Sequence, residues 1–384
     1  MRILHLGEYE KPITGGIGRS IVLLVDAMAK DHDVMIISLR KGEETQVMHS
    51  GKASALPFKS PLHKKLAPLR SLIPSIITSH LTNHKKIIDE IKRFNPDIIH
   101  AHRPFYAQLI SSLPYPKVFS VHALFDQENS TGPLKYHLAQ RIHRMHFFKT
   151  LRTFPAFITI SDSVTAYVKT FHPKMLFQIY SPVKEEFYLP TRKSEPGRIL
   201  SIGRLVEQKF PLEFFEEFSK AARQNKKLHL HILGVIEDKA YYKTVKSFLA
   251  SHDLTGRITF HENLDDQEVA AHLERCEMLV HPSVHETFGL VIAEAMAAGV
   301  PVIVRRCGGV SNLITHRKQG LSCNTAGEVG KAISLLHGNK SLQESLGKSA
   351  RAFAERWRET FVVKETILAY KKIIAEQKST GILS

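Results

Sequence analysis

Ten short apolar runs separated by helix-length stretches constrain this chain most, because they fall into two successive series. The first comprises Ile3–Gly7, Val34–Leu39, Asp97–His102, Val118–His122 and Ala156–Ser161. The second begins at Arg198–Gly203 and continues through Leu228–Leu233, Ile258–Phe260, Met278–Val280 and Val302–Val304. Apolar strands that alternate with helical patterns mark a parallel sheet wrapped by helices. Each series has its own first strand, so the pattern predicts an α/β protein of two Rossmann-like domains facing across a cleft. Ser181 to Gly197, broken by prolines and charges, reads as the connection, which puts the domains at 1–182 and 183–360. A helical pattern, Trp357 to Gln377, closes the chain. A length of 384 residues suits two domains of ordinary size.

The opening Met-Arg-Ile-Leu-His-Leu-Gly reads as a short strand, since no long apolar core follows it as a signal peptide would require. No stretch approaches the ~20 apolar residues that span a bilayer. Cys276, Cys307 and Cys323 are few and odd in number, which argues against a disulfide framework or a cysteine metal site and points to a reducing cytosol. The Asn129-Ser130-Thr131 sequon is then expected to be accidental. Net charge is 53 − 37 = +16, and residues 1–182 carry 24 − 13 = +11 of it. The excess sits in two acid-free tracts. Thr45 to Ile88 contains Lys52, Lys59, Lys64, Lys65, Arg70, Lys85 and Lys86, and Asn129 to Ser161 contains Lys135, Arg141, Arg144, Lys149 and Arg152. Such fields attract anionic lipid, nucleic acid or charged saccharide.

Glu286 and Glu294 have seven residues between them in His281-Pro-Ser-Val-His-Glu-Thr-Phe-Gly-Leu-Val-Ile-Ala-Glu-Ala-Met-Ala-Ala-Gly299. The segment opens as a strand, turns at Pro282 and becomes a helix that Gly299 and Pro301 terminate. Both acids thus lie at a strand-to-helix junction, where open α/β sheets bind ligands, and carboxylates there suit sugar and ribose hydroxyls. A lone glutamate would more simply solvate a helix face, but Ala293, Ala295, Ala297 and Ala298 leave no room for a generic charged face. Gly203-Arg204-Leu-Val-Glu-Gln-Lys209 puts two cations at another strand end, placed to neutralise a departing diphosphate or simply solvated. Gly15-Gly16-Ile17-Gly18 lies between the first strand and a helix, where backbone amides and the helix N-terminus favour phosphate, though the spacing is not G-x-G-x-x-G.

These segments, with Phe288-Gly289-Leu290 and Gly308-Gly309-Val310, resemble family 4 of the retaining nucleotide-sugar glycosyltransferases, which have the GT-B fold and an E-x7-E signature. The resemblance covers nearly the whole chain. It implies a metal-independent, hexosyltransferase-type enzyme without a cofactor, moving a sugar from a UDP- or GDP-sugar to a saccharide or lipid-linked acceptor in cell-surface polysaccharide, lipopolysaccharide or glycolipid synthesis. By resemblance Glu286 holds the donor sugar, Glu294 the ribose, and the amides of Phe288, Gly289 and Leu290 the sugar and phosphates. Arg204 and Lys209 hold the diphosphate, Gly16 with Gly15 faces it, and His122 contacts the sugar. The last helix, 361–384, is expected to cross back to the first domain. Base recognition is expected from backbone groups near Gly234 and Val235. Thr287 replaces the family's common glycine and Ser181-Pro182 its usual asparagine-proline, which weakens inference about the donor.

His100 and His102 at i, i+2 suggest a metal, yet no third ligand at regular spacing supports one. Asp31-His-Asp33 reads as a turn after the first helix, and Gly347-Lys348-Ser349 lacks the preceding strand of a phosphate loop. Leu134, Leu138, Ile142, Met145 and Phe148 recur at helical spacing among basic residues, the pattern of an interfacial helix or of an ordinary buried stripe. The first alternative places the protein peripherally at the inner face of the cytoplasmic membrane. Other enzymes of the same fold, epimerases and glycoside phosphorylases, stay open as alternatives. A nucleic-acid-binding role has only charge behind it and no recognisable motif, so no nucleic-acid partner is expected.

Overall fold

Strand β1 (Arg2–Leu6) is buried over its last four residues and lies inside an eight-stranded sheet. Its neighbours are β2 (Asp33–Leu39) and β5 (Ile98–Ala101), both parallel to it, and β6 (Lys117–Val121), β7 (Ala156–Thr159) and β8 (Met175–Gln178) extend the parallel array beyond β5. Beyond β2, the antiparallel strands β3 (Thr45–His49) and β4 (Lys52–Leu56) complete the edge. This is a computed structural model describing residues 1–7, 9, 16–39, 45–49, 52–56, 75–123 and 134–379, with 39, 45–49, 52–56, 75–84, 134–140 and 312 described by backbone alone. Gly15, the Asn129 sequon and Lys59, Lys64, Lys65 and Arg70 lie outside the described residues.

Alternation along the strands sends successive side chains to opposite faces. Leu4, Leu6, Ile99, Ala101, Phe119 and Phe157 pack with residues of α2 (Ser75–Phe94), α3 (Pro104–Leu109), α4 (Leu134–Thr153) and α5 (Asp162–Lys169). Ile3, Ile98, Val118 and Ile158 pack with α1 (Gly16–Met28) and with Val362, Ala369, Tyr370 and Ile373 of the last helix, α12 (Glu359–Ser379). Polar groups fix that helix further. Gln377 Oε1 accepts from the Lys117 amide at 3.0 Å, and its Nε2 donates to the Lys117 carbonyl at 3.0 Å. The chain accordingly divides into two compact units, Met1–Pro182 with Glu359–Ser384, and Val183–Arg358.

The second unit holds six parallel strands, β9 (Arg198–Ile202), β10 (His229–Leu233), β11 (Ile258–His261), β12 (Met278–His281), β13 (Val302–Arg305) and β14 (Leu321–Cys323), in the order β11-β10-β9-β12-β13-β14. Its core is rich in phenylalanine: Phe214, Phe215 and Phe218 of α6 (Leu212–Gln224) pack with Ile199, Leu230 and Val280 of the strands. Val245 and Leu249 of α7 (Lys239–Ser251) and Val329 and Ile333 of α10 (Ala326–Leu336) complete it. The remaining helices are α8 (Asp266–Arg275), α9 (Leu290–Ala297) and α11 (Lys340–Ala354).

Four strands, β3, β4, β8 and β14, were not expected from the sequence; each lies at or next to a sheet edge, where the apolar signal is weakest. Trp357 belongs to a 3-10 turn, Glu355–Trp357, and not to the closing helix. It is fully buried in the second unit, edge-on to Phe288 and Phe353. Gly347-Lys348-Ser349 lies inside α11, which removes any phosphate-loop reading. No helix among the described residues is long and apolar enough to cross a membrane.

Candidate active site

Strand order in the second unit changes direction between β9 and β12, so the loops leaving these strands diverge at their carboxyl ends and open a crevice. The loop after β9 carries Arg204 and Lys209, and the loop after β12 carries Glu286. Backbone and hydroxyl bonds tie the two together. Val284 N donates to the Gln208 carbonyl at 3.0 Å, and Ser283 Oγ donates to the same carbonyl at 3.2 Å. Lys209 Nζ lies 2.5 Å from Glu286 Oε2 and donates to the His285 carbonyl at 3.2 Å. His281 Nε2 stands 3.3 Å from that same Glu286 oxygen. Burial alone pushes the Glu286 carboxyl up, but the His281 and Lys209 side chains beside it prevail and hold it at about 2. Glu286 is therefore an ionised acceptor at neutral pH.

The backbone of Glu286 is fixed as tightly as its side chain. Gly309 N donates to the Glu286 carbonyl at 2.9 Å, and Gly308, at φ +40°, passes so close that a Cβ would stand 2.2 Å from that oxygen. Only glycine fits there. Helix α9 then begins behind Gly289, whose φ of +83° is left-handed and whose N-cap position supplies no side-chain bond. The first amides of α9 thus have no intrahelical acceptor, which is the arrangement that binds anions. Phe288 is buried against Trp357, and Leu290 is buried as the first helical residue. Glu294, in the second turn, is 2% exposed, so it does not solvate a helix face.

Arg204 takes another partner, its Nη1 lying 2.5 Å from Glu237 Oε2, with both side chains half exposed. Gly234 ends β10 at φ +147°, where a Cβ would stand 2.0 Å from the Gly203 carbonyl, so this glycine lets the ends of β9 and β10 meet. In this unit the structure brings together Lys209 and Glu286 and adds His281, while Arg204 stays with Glu237. His285 contributes its carbonyl to the loop. His281 and Glu237 were missed from sequence. The signal for His281 was a polar residue ending an otherwise apolar strand, whereas nothing in sequence marked Glu237.

The first unit has its own change of strand direction, between β1 and β5. Gly16 is the first residue of α1, exposed, with no atom within 4 Å of where a Cβ would stand. Nearby strand ends supply buried histidines: His5 from β1, His100 and His102 from β5 and the residue after it, and His122 after β6. His100, His102 and His122 line a cavity with Ser20, Ser120 and Ser181. His5, His100 and His102 lie close enough to suggest a metal site. Both nitrogens of His100 are engaged, however, Nδ1 with Tyr370 Oη at 2.6 Å and Nε2 with Ser120 Oγ at 2.7 Å. In the second unit His231, His261 and His272 also converge, but Arg198 Nη2 lies 3.1 Å from His272 Nδ1 and, being only a donor, occupies its lone pair.

Two Rossmann-like α/β units, each with polar groups at the strand ends where its strand order turns, have the architecture of the GT-B class of glycosyltransferase. The sequence model for "Glycosyl transferases group 1" matches residues 184–353, and that for "Glycosyltransferase Family 4" matches residues 14–187. The chain belongs to this family of glycosyltransferases. It is similar to glycogen synthase of Mycobacterium tuberculosis, 24% identical over 94% of this chain and 90% of that protein. Sulfoquinovosyl transferase SQD2 of Arabidopsis thaliana is 25% identical over 91% of this chain and 68% of its own length. Among solved structures, sucrose-phosphate synthase from Thermosynechococcus elongatus superposes with a TM-score of 0.78 at 18% identity, covering 98% of this chain and 99% of its own. Anabaena Alr3699/HepE in complex with UDP and glucose gives 0.68 at 15% identity, covering 97% and 100%.

Proposed function

We propose that this protein is a retaining, metal-independent hexosyltransferase that moves a sugar from a UDP- or GDP-sugar to an acceptor hydroxyl. The observation that carries this reading is the ionised Glu286, held by Lys209 and His281 just before the uncapped start of α9. Glu286 accepts hydrogen bonds from sugar hydroxyls, Glu294 binds the ribose, and the amides at Phe288, Gly289 and Leu290 meet phosphate oxygens. Lys209 and Arg204 turn from Glu286 and Glu237 to the diphosphate as it leaves, which neutralises the charge that develops there. The leaving phosphate oxygen helps deprotonate the acceptor on the same face, which retains configuration. Support comes also from a structural neighbour solved with UDP and glucose. The acceptor belongs to cell-surface polysaccharide, lipopolysaccharide or glycolipid synthesis, reached from the inner face of the cytoplasmic membrane.

A thermal-shift screen over UDP, GDP and their sugars tests the reading. A ligand at a hundred times its dissociation constant raises stability by about 2.7 kcal/mol. We expect a shift with one nucleoside diphosphate and its sugar, undiminished by EDTA, and a product whose anomeric configuration matches the donor. Activity abolished by EDTA and restored by magnesium or manganese would overturn the metal-independent mechanism, and an inverted product would overturn retention.

A further inference from the structure

His5, His102 and His122 form one hydrogen-bonded row. His5 Nδ1 lies 2.9 Å from His102 Nε2, and His102 Nδ1 lies 3.0 Å from His122 Nε2. The outer nitrogens of the row, His5 Nε2 and His122 Nδ1, are buried and have no hydrogen-bond partner among the described residues. His100 stands aside, bonded to Tyr370 and Ser120. Burial lowers the basicity of all three imidazoles, carrying His5 and His122 down to about 3, so each is neutral at pH 7.

A neutral imidazole has one N–H and one bare nitrogen. The row therefore holds three ring protons, and its two inner bonds use two of them. Each inner bond needs one donor, so all the protons must point the same way along the row. In one arrangement all three rings are Nδ1–H, His122 presents an N–H outward, and His5 Nε2 is bare. In the other all three are Nε2–H, His122 presents a lone pair, and an N–H is stranded on His5. The surroundings decide between them. Both outer nitrogens are buried, so what separates the two arrangements is which end a ligand can reach: His5 is 0% exposed and does not line the cavity, and an N–H there would stay without an acceptor. His122 is 9% exposed and lines the cavity, together with the hydroxyls of Ser20, Ser120 and Ser181.

We infer that His5 and His102 hold His122 in the Nδ1–H tautomer, which makes it a hydrogen-bond donor and denies it the role of general base. His5 and His102 are then positioning residues, acting through His122. The catalytic meaning rests on the reading of His122 as a contact to the donor sugar. A fixed N–H can bind a sugar hydroxyl oxygen but cannot take the proton of the acceptor, which leaves that step to the departing phosphate.

The test is the tautomer itself, read without substrate. Long-range 1H–15N spectra of the full-length protein labelled at histidine are recorded at pH 7, with signals assigned by single substitutions. We expect Nδ1 protonated and Nε2 bare in His5, His102 and His122. Protonated Nε2 on His122 overturns the inference. In His102→Leu the donor to His122 Nε2 is gone, and His122 should lose its Nδ1–H preference; His102→Asn, whose amide can donate from a similar place, should restore it. An unchanged His122 in His102→Leu also overturns the inference, and if that variant does not fold, the wild-type and His102→Asn spectra still decide. Failure of every nucleotide sugar to bind would defeat the proposed reaction while leaving the tautomer result intact.

Discussion

Glu286 keeps its charge against its own burial, and the pH dependence of folding should reveal it. Its folded pKa of about 2 lies below the ordinary glutamate value of about 4.3, so its contribution is present above that value and is lost as pH falls towards 2. His5 and His122 move in the same sense for a different reason. Both are neutral when folded, at about 3, whereas the unfolded chain takes up protons below about 6.5, so stability falls as pH drops from 6.5 towards 3. Thermal midpoints measured from pH 7 to 4 should decline in the wild type, and less in His5→Asn or His122→Asn. Equal slopes would show that these imidazoles do not drive the acid response. The two acids should also separate in function. Glu286→Ala is expected to cost mainly turnover, by about two orders of magnitude, while Glu294→Ala weakens donor and free nucleoside diphosphate alike. Titration calorimetry with UDP and GDP distinguishes them, and equal losses of diphosphate affinity would refute the division.

At the scale of elements, α4 differs from the stripe that its sequence suggests. Its core side is Phe147, Thr150 and Leu151, one step out of phase with Ile142, Met145 and Phe148. Met145 is left 61% exposed, and Arg141, Arg144, Lys149 and Arg152 are exposed as well. An apolar side chain among cations fits an anionic membrane surface, where each cation adds about 1 kcal/mol. The protein should co-sediment with anionic vesicles, be released by high salt, and bind less as the serine variant of those four residues; indifference to anionic vesicles at low salt would refute membrane docking. The phase error has a physical source, since spacing gives the period of an apolar stripe and packing partners select the face. The same limit governs the rest. Strands buried on both faces, such as β5 and β12, were legible because all but one residue of each is apolar, and β1 because its apolar residues surround a single buried histidine. The edge strands β8 and β14 were not, because β8 is partly exposed along its four residues and β14, though buried, is only three residues long, so both resemble loops. Glu286 and Lys209 stood out by local motif, but their ion pair and the approach of His281 arise only when β9 and β12 become neighbours.

For the molecule as a whole, the first unit is discontinuous in sequence, because α12 supplies Val362, Ala369, Tyr370 and Ile373 to its core. Ending the chain after Arg358 should therefore expose the apolar face of α1 and make the protein aggregate, while the second unit keeps its fold. Tyr370→Phe is a gentler probe. It removes only the hydroxyl 2.6 Å from His100 Nδ1 and leaves a buried polar group unpaired, at a cost of about 1–3 kcal/mol in denaturant unfolding. A loss no larger than that of an exposed tyrosine would show that the contact is not stabilising. The discontinuity also sets an order of events during synthesis. Residues 183–358 can complete their own core as soon as they clear the ribosome, yet residues 1–182 must wait for the last helix. At the roughly 5–20 residues per second of translation, that wait is on the order of 10–40 s, during which the nascent first unit carries an uncovered apolar face and is a natural client for chaperones.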